Sequence, residues 1–212
     1  TTGSESIDFF LCSKSLITDE TSKSYSEKLL LMDHLPMIYE IPKIVHRIND
    51  AELSKKNIYS CPQTLFKFHP DFDEYLFDIL KKDKKAILYL LKDANKVYYL
   101  KLLERFRKNK NFDSERVIFL DPLNLNQFIN HMGTSSVLLD PIYFGSGNSF
   151  HESMFYGTQT VTCPTKYIKS RIVSAAYIQM EIENPPIVKN KYDYVNKAIE
   201  IANDKNILSR KK

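Results

Sequence analysis

"SSVLLDPIYFGSGNSFHESMFYGTQTVTCP", residues 135–164, reads as an apolar strand ("SVLLD"), a glycine loop, a helix ("SFHESMFY") and a second strand ("QTVTC"). The chain has only five glycines, and Gly145, Gly147 and Gly157 fall within or just after the segment "GSGNSFHE". Glycine loses more backbone freedom on folding than any other residue. Clustering it therefore marks a place where the chain turns sharply or lets something approach its backbone. A strand that leads through such a loop into a helix is the unit of an open parallel sheet, whose ligands bind at the carboxyl ends of the strands.

The same alternation extends in both directions from this segment. "NIYS", "AILYLL" and "RVIFL" are short β-prone runs, and "AILYLL" is apolar throughout, as a strand buried on both faces should be. Between them, "DFDEYLFDILKK", "VYYLKLLERFRKN" and "NLNQFINHM" carry helical spacing, and "YIKSRIVSAAYIQM" and "YDYVNKAIEIAND" predict two further helices. Strands alternating with helices imply an α/β fold, a parallel sheet with helices on both faces. Residues 1–47 follow another rhythm: "IDFFL", a polar loop, "YSEKLLLM", then "MIYEIPK" with Pro36 and Pro42. They read as the tail of a preceding domain and a linker, leaving residues 48–212 as the α/β domain.

With 212 residues, 43% of them hydrophobic, the chain can bury a sizeable core. Its net charge of +4 is dispersed among acidic residues, as in "KKDKKAILYLLKD", and makes no basic stripe for nucleic acid. Cys12, Cys61 and Cys163 lie far apart without a metal-ligand or disulfide pattern, which fits a reducing, cytoplasmic setting. No apolar run reaches the roughly 18–20 residues that span a bilayer. The opening "TTGSES" carries neither a start methionine nor a signal peptide pattern, and the polar C-terminal stretch has no evident ending. Both ends read as cuts through a longer protein.

The glycine loop fails two familiar nucleotide patterns. The third glycine of G-x-G-x-x-G would fall at Phe150, and neither Gly145 nor Gly147 is followed by the lysine of a phosphate-binding P-loop. A helix starting near Asn148 or Ser149 would still point free N–H groups at the loop, and both side chains could add hydrogen bonds to an anion. Glu152, one turn inside, would reach two ribose hydroxyls. The plainer alternative is that Asn148 or Ser149 caps the helix and Glu152 closes a capping box, for about 1 kcal/mol. A second candidate is Lys67 in "SCPQTLFKFHPDFDE", since an ammonium at the mouth of a cleft can neutralise a departing diphosphate. "DFD" at 71–73 resembles a metal-binding D-x-D pair, but Asp71 followed by Glu74 reads as a helix start. "HE" at 151 and 152 lacks the second histidine of a zinc protease, and His151 reads as a packing or surface residue.

In order along the chain, Thr2-Gly3-Ser4, "IDFF" (7–10), "YSEKL" (25–29), "CPQTLFK", "ILYLL", "RVIFLDP", the glycine-loop block and "SRIVSA" resemble the O-linked N-acetylglucosamine transferases and their bacterial relatives. The resemblance spans nearly the whole chain and implies a GT-B type fold of two Rossmann-like halves. Residues 1–47 would end the N-terminal half, and 48–212 would form the donor-binding C-terminal half, cut short at its end. It implies an inverting, metal-independent transfer of GlcNAc or a hexose from a UDP-sugar to an acceptor, a protein or peptide side chain, with no cofactor. By position, Lys67 matches the catalytic lysine on the donor diphosphate. Asn148 and Ser149 match the hydroxyl pair that binds phosphate, Glu152 matches the acid on the ribose, and Phe128 falls where a histidine meets the uracil. Gly145 and Gly147 let the donor approach the loop, and Thr64 stands in place of a glutamine. Asn148 for threonine, Glu152 for aspartate, Gly147 for histidine and Thr165 for glycine are further departures, which leave the nucleotide and the sugar open. A non-catalytic binding module with the same fold is the alternative. A nucleotide-sugar epimerase is a weaker one, because His34, His46, His69 and His131 form no acid/base pattern for it.

Overall fold

The computed structural model of the chain describes residues 1–40 and 56–204. The domain boundary expected at residues 47 and 48, together with Pro42 and His46, lies outside the described residues. After a two-stranded parallel sheet of β1 (Phe9–Ser13) and β2 (Lys28–Met32), with α1 (Asp19–Ser22) between them, the chain enters a second sheet. This sheet comprises β3 (Asn57–Cys61), β4 (Ala86–Leu91), β5 (Val117–Leu120), β6 (Val137–Leu139) and β7 (Thr160–Val161). The crossovers carry α2 (Pro70–Lys82), α3 (Val97–Arg107), α4 (Leu125–Thr134) and α5 (Asn148–Met154), and α6 (Ile172–Gln179) and α7 (Lys191–Ala202) follow β7. All pairings are parallel, in the order β5-β4-β3-β6-β7.

Winding thus runs outward from β3 in one direction, then reverses at β6. The two strands that flank the reversal, β3 and β6, are neighbours, with Tyr59 opposite Val137 and Ser60 opposite Leu138. A crevice opens above such a reversal because the connections on its two sides leave in opposite directions. The strand sequences explain the burial. Val137 and Leu139 face the core formed with α2, α3 and α7, whereas Leu138 faces Ile129 and Met132 of α4 on the other side. A strand covered on both faces must be apolar at consecutive positions, as "VLL" is.

Several elements differ in detail from their sequence expectation. α2 starts at Pro70, with His69 as its cap: the His69 ring nitrogen accepts the Asp71 N–H at 3.2 Å, so Asp71 lies inside the helix. "YIKSRIVSAAYIQM" is split into a 3-10 turn at Ile168–Ser170 and α6, because the Ser170 hydroxyl bonds back to the 165–167 loop. β7 keeps only Thr160–Val161 in the ladder, since Thr162 turns its backbone to Pro186 and Val188.

The N-terminal segment docks on the α5–α6 side, where Cys12, Leu16 and Leu35 bury against Phe150, Val173 and Tyr177. The Leu35 N–H also donates to Gln179 Oε1 at 2.7 Å. The three cysteines are buried and unpaired. Among the described residues, no helix is long and apolar enough to cross a membrane.

Candidate functional site

A cleft of about 580 Å³ opens over the carboxyl ends of β3 and β6, and Lys67, Thr64, Phe128, Gly145, Gly147, Asn148, Ser149 and Glu152 all line it. Chain segments 60 to 90 residues apart are joined here because parallel strands deliver their following loops to one edge of the sheet.

From the β3 side, the chain passes through Pro62 into a 3-10 turn, Leu65–Lys67. α3 braces this turn. Arg105 forms a bidentate ion pair with Asp73 at 2.6 and 2.8 Å and donates to the Phe68 carbonyl at 2.9 Å. Asp73 is thereby committed to Arg105, and Asp71 accepts from the Tyr143 hydroxyl at 2.9 Å. The Lys67 ammonium, half-buried, donates to Gln63 Oε1 at 2.7 Å and to the Gly145 carbonyl at 3.1 Å. Its nitrogen also lies 4.7 Å from the centre of the Phe144 ring. Burial lowers the Lys67 pKa from its ordinary value, and the charges of Asp140 and Cys61 push it back up.

From the β6 side, α5 is capped by Gly147, which supplies no side chain. The capping arrangement that would have given Asn148, Ser149 and Glu152 a purely structural reason is therefore not formed. Asn148 is exposed, and the Ser149 hydroxyl meets the Gln63 amide across the cleft. Glu152 is half-buried, without a hydrogen-bond partner among the described residues, and burial raises its pKa. Phe128 projects from α4 into the same space, packed beside Met132 and Tyr156. His151 turns away from the cleft edge and stacks on Tyr39 with ring centres 5.0 Å apart. It packs, as its sequence context indicated.

Three contributors escaped the sequence reading. Gln63 bridges Lys67 and Ser149, while Thr64, expected in its place, is an exposed lining residue. Asp140, the residue after β6, is buried beneath the loop. Its Oδ1 accepts the Ser146 N–H at 2.6 Å and its Oδ2 accepts the Thr162 hydroxyl at 2.7 Å. Phe144 forms one wall. The signals were a glutamine one position before the expected one and an acid ending a strand that enters a glycine loop.

The arrangement presents one ammonium, one amide, one hydroxyl and the unbonded N–H groups at the start of a short helix to a common space. α5 has seven residues, so these N–H groups count for more than any long-range dipole. Such a set suits a multiply charged oxyanion, with an aromatic ring and a carboxylate further along for the group attached to it.

Comparison with known proteins supplies an independent line. The probable UDP-N-acetylglucosamine–peptide N-acetylglucosaminyltransferase SEC of Arabidopsis thaliana is 22% identical over 220 residues, covering 97% of this chain and 22% of that protein. A solved structure of a mutant O-GlcNAc transferase of Thermobaculum terrenum superposes with a TM-score of 0.77 at 16% identity, covering 96% of this chain and 39% of that one. The S. aureus TarM variant solved in complex with fondaparinux, α-GlcNAc-glycerol and UDP follows at a TM-score of 0.57 and 12% identity, with 92% of this chain and 37% of that one covered. The structural likenesses establish a GT-B type fold for a chain that spans well under half of either relative's length. The model of glycosyl transferase family 41 matches residues 37–212, and the chain belongs to that family of glycosyltransferases.

Proposed function

We propose that this chain is the donor-binding part of an inverting, metal-independent glycosyltransferase that moves GlcNAc or a hexose from a UDP-sugar to a protein side chain. The observation that carries this reading is the convergence of Lys67, Gln63 and Ser149 over the β3–β6 reversal. Residues 1–47 would close the N-terminal catalytic half and its linker, and residues 48–212 would form the C-terminal half. A cytoplasmic setting with a protein or peptide acceptor belongs to the same reading.

In this mechanism the acceptor hydroxyl or amide attacks the anomeric carbon as the bond from that carbon to the diphosphate oxygen breaks. UDP departs with the bonding electron pair, and the proton released by the acceptor group passes to solvent. Charge grows on the diphosphate in the transition state, so a group that binds it more strongly then than before lowers the barrier. Lys67 takes that role. Its protein partners are the neutral Gln63 and Gly145 oxygens, so the diphosphate can replace them without breaking an ion pair. Ser149 and the N–H groups of Asn148 and Ser149 would hold the remaining phosphate oxygens, Glu152 the ribose hydroxyls, and Phe128 the face of the uracil. The fixed positive charge supplies what a divalent cation supplies in metal-dependent transferases.

Calorimetric titration of the chain with UDP, UDP-glucose, UDP-N-acetylglucosamine and ADP tests the reading. Uridine nucleotides should bind and ADP should not. Equal binding of ADP and UDP, or binding of neither, sinks it.

A further inference from the structure

Among the buried titratable groups that the mechanism above does not use, Asp140 lies nearest the glycine loop. Asp140 ends β6 at 2% exposure, and its surroundings are unusual for a carboxylate. Its two oxygens meet one backbone N–H and one hydroxyl, and the Tyr194 hydroxyl donates to its carbonyl at 3.0 Å. A neutral asparagine could occupy the same site and keep contacts of this kind. An ionisable carboxylate there must be desolvated, and burial pushes Asp140 up to about 6, so at neutral pH most of it is still charged. A buried charge persists where an opposite charge answers it, and Lys67 is the cation that acts on it.

Gly145 connects the two. Its carbonyl accepts from Lys67, and a Cβ on it would lie 2.8 Å from both Asp140 oxygens. The carboxylate is pinned by Ser146 and Thr162, so it has little room to move aside. Only a residue without a side chain lets the loop sit on Asp140 while handing its carbonyl to Lys67. At Gly147, by contrast, an added Cβ would meet nothing within 4 Å.

We propose that Asp140 is a positioning residue for the transfer reaction: a buried counter-charge that holds the Lys67 ammonium and the 145–147 loop in place to receive the donor diphosphate. The inference rests on the donor reading above. The groups that face Lys67 are Gln63 and Cys61 from the β3 side and Gly145, Phe144 and Asp140 from the β6 side. Those that face Asp140 are Lys67, Thr162, Ser146, Cys61, Cys163, Tyr177 and Tyr194. Lys67 is the one cation in either set. Lys169 lies beyond the Phe144 ring, 4.6 Å from its centre.

The test is Asp140→Asn, which keeps shape and one acceptor oxygen, replaces the other with an NH2 that can donate to the Thr162 hydroxyl, and removes the charge. Lysine labelled with ¹³C at Cε, with Lys67 assigned by its loss in Lys67→Ala, reports the Lys67 titration directly and without ligand. In the Asn variant Lys67 should lose its proton at lower pH than in the wild type. Calorimetry with UDP-N-acetylglucosamine at pH 7.5 should show affinity at least about tenfold weaker, and the same change in the Lys67→Ala background should cost less than about twofold. A purely structural Asp140 would leave the Lys67 titration where it is and lower affinity equally in both backgrounds. Either result overturns the inference. A wild type that binds no donor, with a Lys67 titration that depends on Asp140, removes the donor reading and leaves the charge pair standing. Donor binding with a titration indifferent to Asp140 does the reverse.

Discussion

Two cavities meet at Phe144, and the smaller one gathers the proposed donor-binding residues. The larger, about 990 Å³, lies between Thr1–Tyr25 and the Lys166–Lys169 turn, lined by Tyr25, Tyr143, Tyr167 and exposed charges such as Lys166 and Glu20. Those two charges pair with each other at 3.2 Å, more than half exposed, an arrangement worth little in energy and already satisfied. The smaller cleft, about 580 Å³, holds a half-buried ammonium bonded to neutral oxygens and a half-buried carboxylate that has no hydrogen-bond partner among the described residues. Volume alone does not single out a site; what sets the smaller cleft apart is that the hydrogen bonds of its ammonium go to neutral oxygens, which an anion can replace.

Substitution on each side of Phe144 breaks or sharpens this contrast. The largest effect is expected from Lys67→Ala, which removes charge-assisted hydrogen bonds worth about 1.5–3 kcal/mol, or about 10- to 100-fold in UDP-N-acetylglucosamine affinity. Lys166→Ala, in the larger cavity, should change that affinity by less than about twofold. Calorimetry that finds the order reversed would move the site across the Phe144 wall.

The next effect concerns stability. Asp140 is protonated in both states below its ordinary 3.8, and the folded state holds its proton until about 6. Folding stability from this group therefore falls as pH rises through that window, by roughly 2–3 kcal/mol at most, and the cost is complete above it. Asp140→Asn mimics the protonated form. Its melting temperature should exceed the wild type's above pH 6, with the gap closing towards pH 4. A variant that is more stable and binds donor less well is what a functional charge in a core predicts.

Gln63→Ala ranks third. It strips Lys67 of its shorter bond and Ser149 of its partner, and about 1 kcal/mol, or fivefold in affinity, is expected. Unchanged affinity would mean that the donor displaces Gln63 entirely. Thr64→Ala, on an exposed side chain of the same turn, is the matched control.

Gln63 also shows what a sequence can and cannot disclose. The strands were legible because burial on both faces demands unbroken apolar runs such as "AILYLL" and "VLL", and their alternation with helices implied the parallel sheet. The expected site residues lie in one cleft because they sit just past strand ends, where topology alone gathers them. What stayed hidden depends on side-chain direction. The tight turn after Cys61, with the Gln63 N–H bonded to the Cys61 carbonyl, brings the side chain of residue 63 rather than 64 between Lys67 and Ser149. Asp140 looked like the polar end of a strand, and its meaning depends on the loop folding back over it. The cap of α5 stayed hidden for the same reason: the helix starts at Asn148, within the expected range, but Gly147 caps it through backbone conformation without a side-chain signal.

The smallest expected effect tests the far end of the cleft. Glu152 lies one turn into α5, and a carboxylate there would accept hydrogen bonds from ribose hydroxyls. Losing one such bond to water costs about 1 kcal/mol, so Glu152→Gln should weaken UDP several-fold and 2′-deoxy-UDP by less. Burial raises the Glu152 pKa, so the carboxylate takes up its proton at higher pH than an exposed glutamate would. Preference for UDP over 2′-deoxy-UDP should therefore shrink as pH falls through that raised value, and in Glu152→Gln it should not depend on pH there. Comparing the two nucleotides at each pH cancels the phosphate ionisation that both share. A preference that persists unchanged in Glu152→Gln would place the ribose elsewhere, and with it the uracil expected on Phe128.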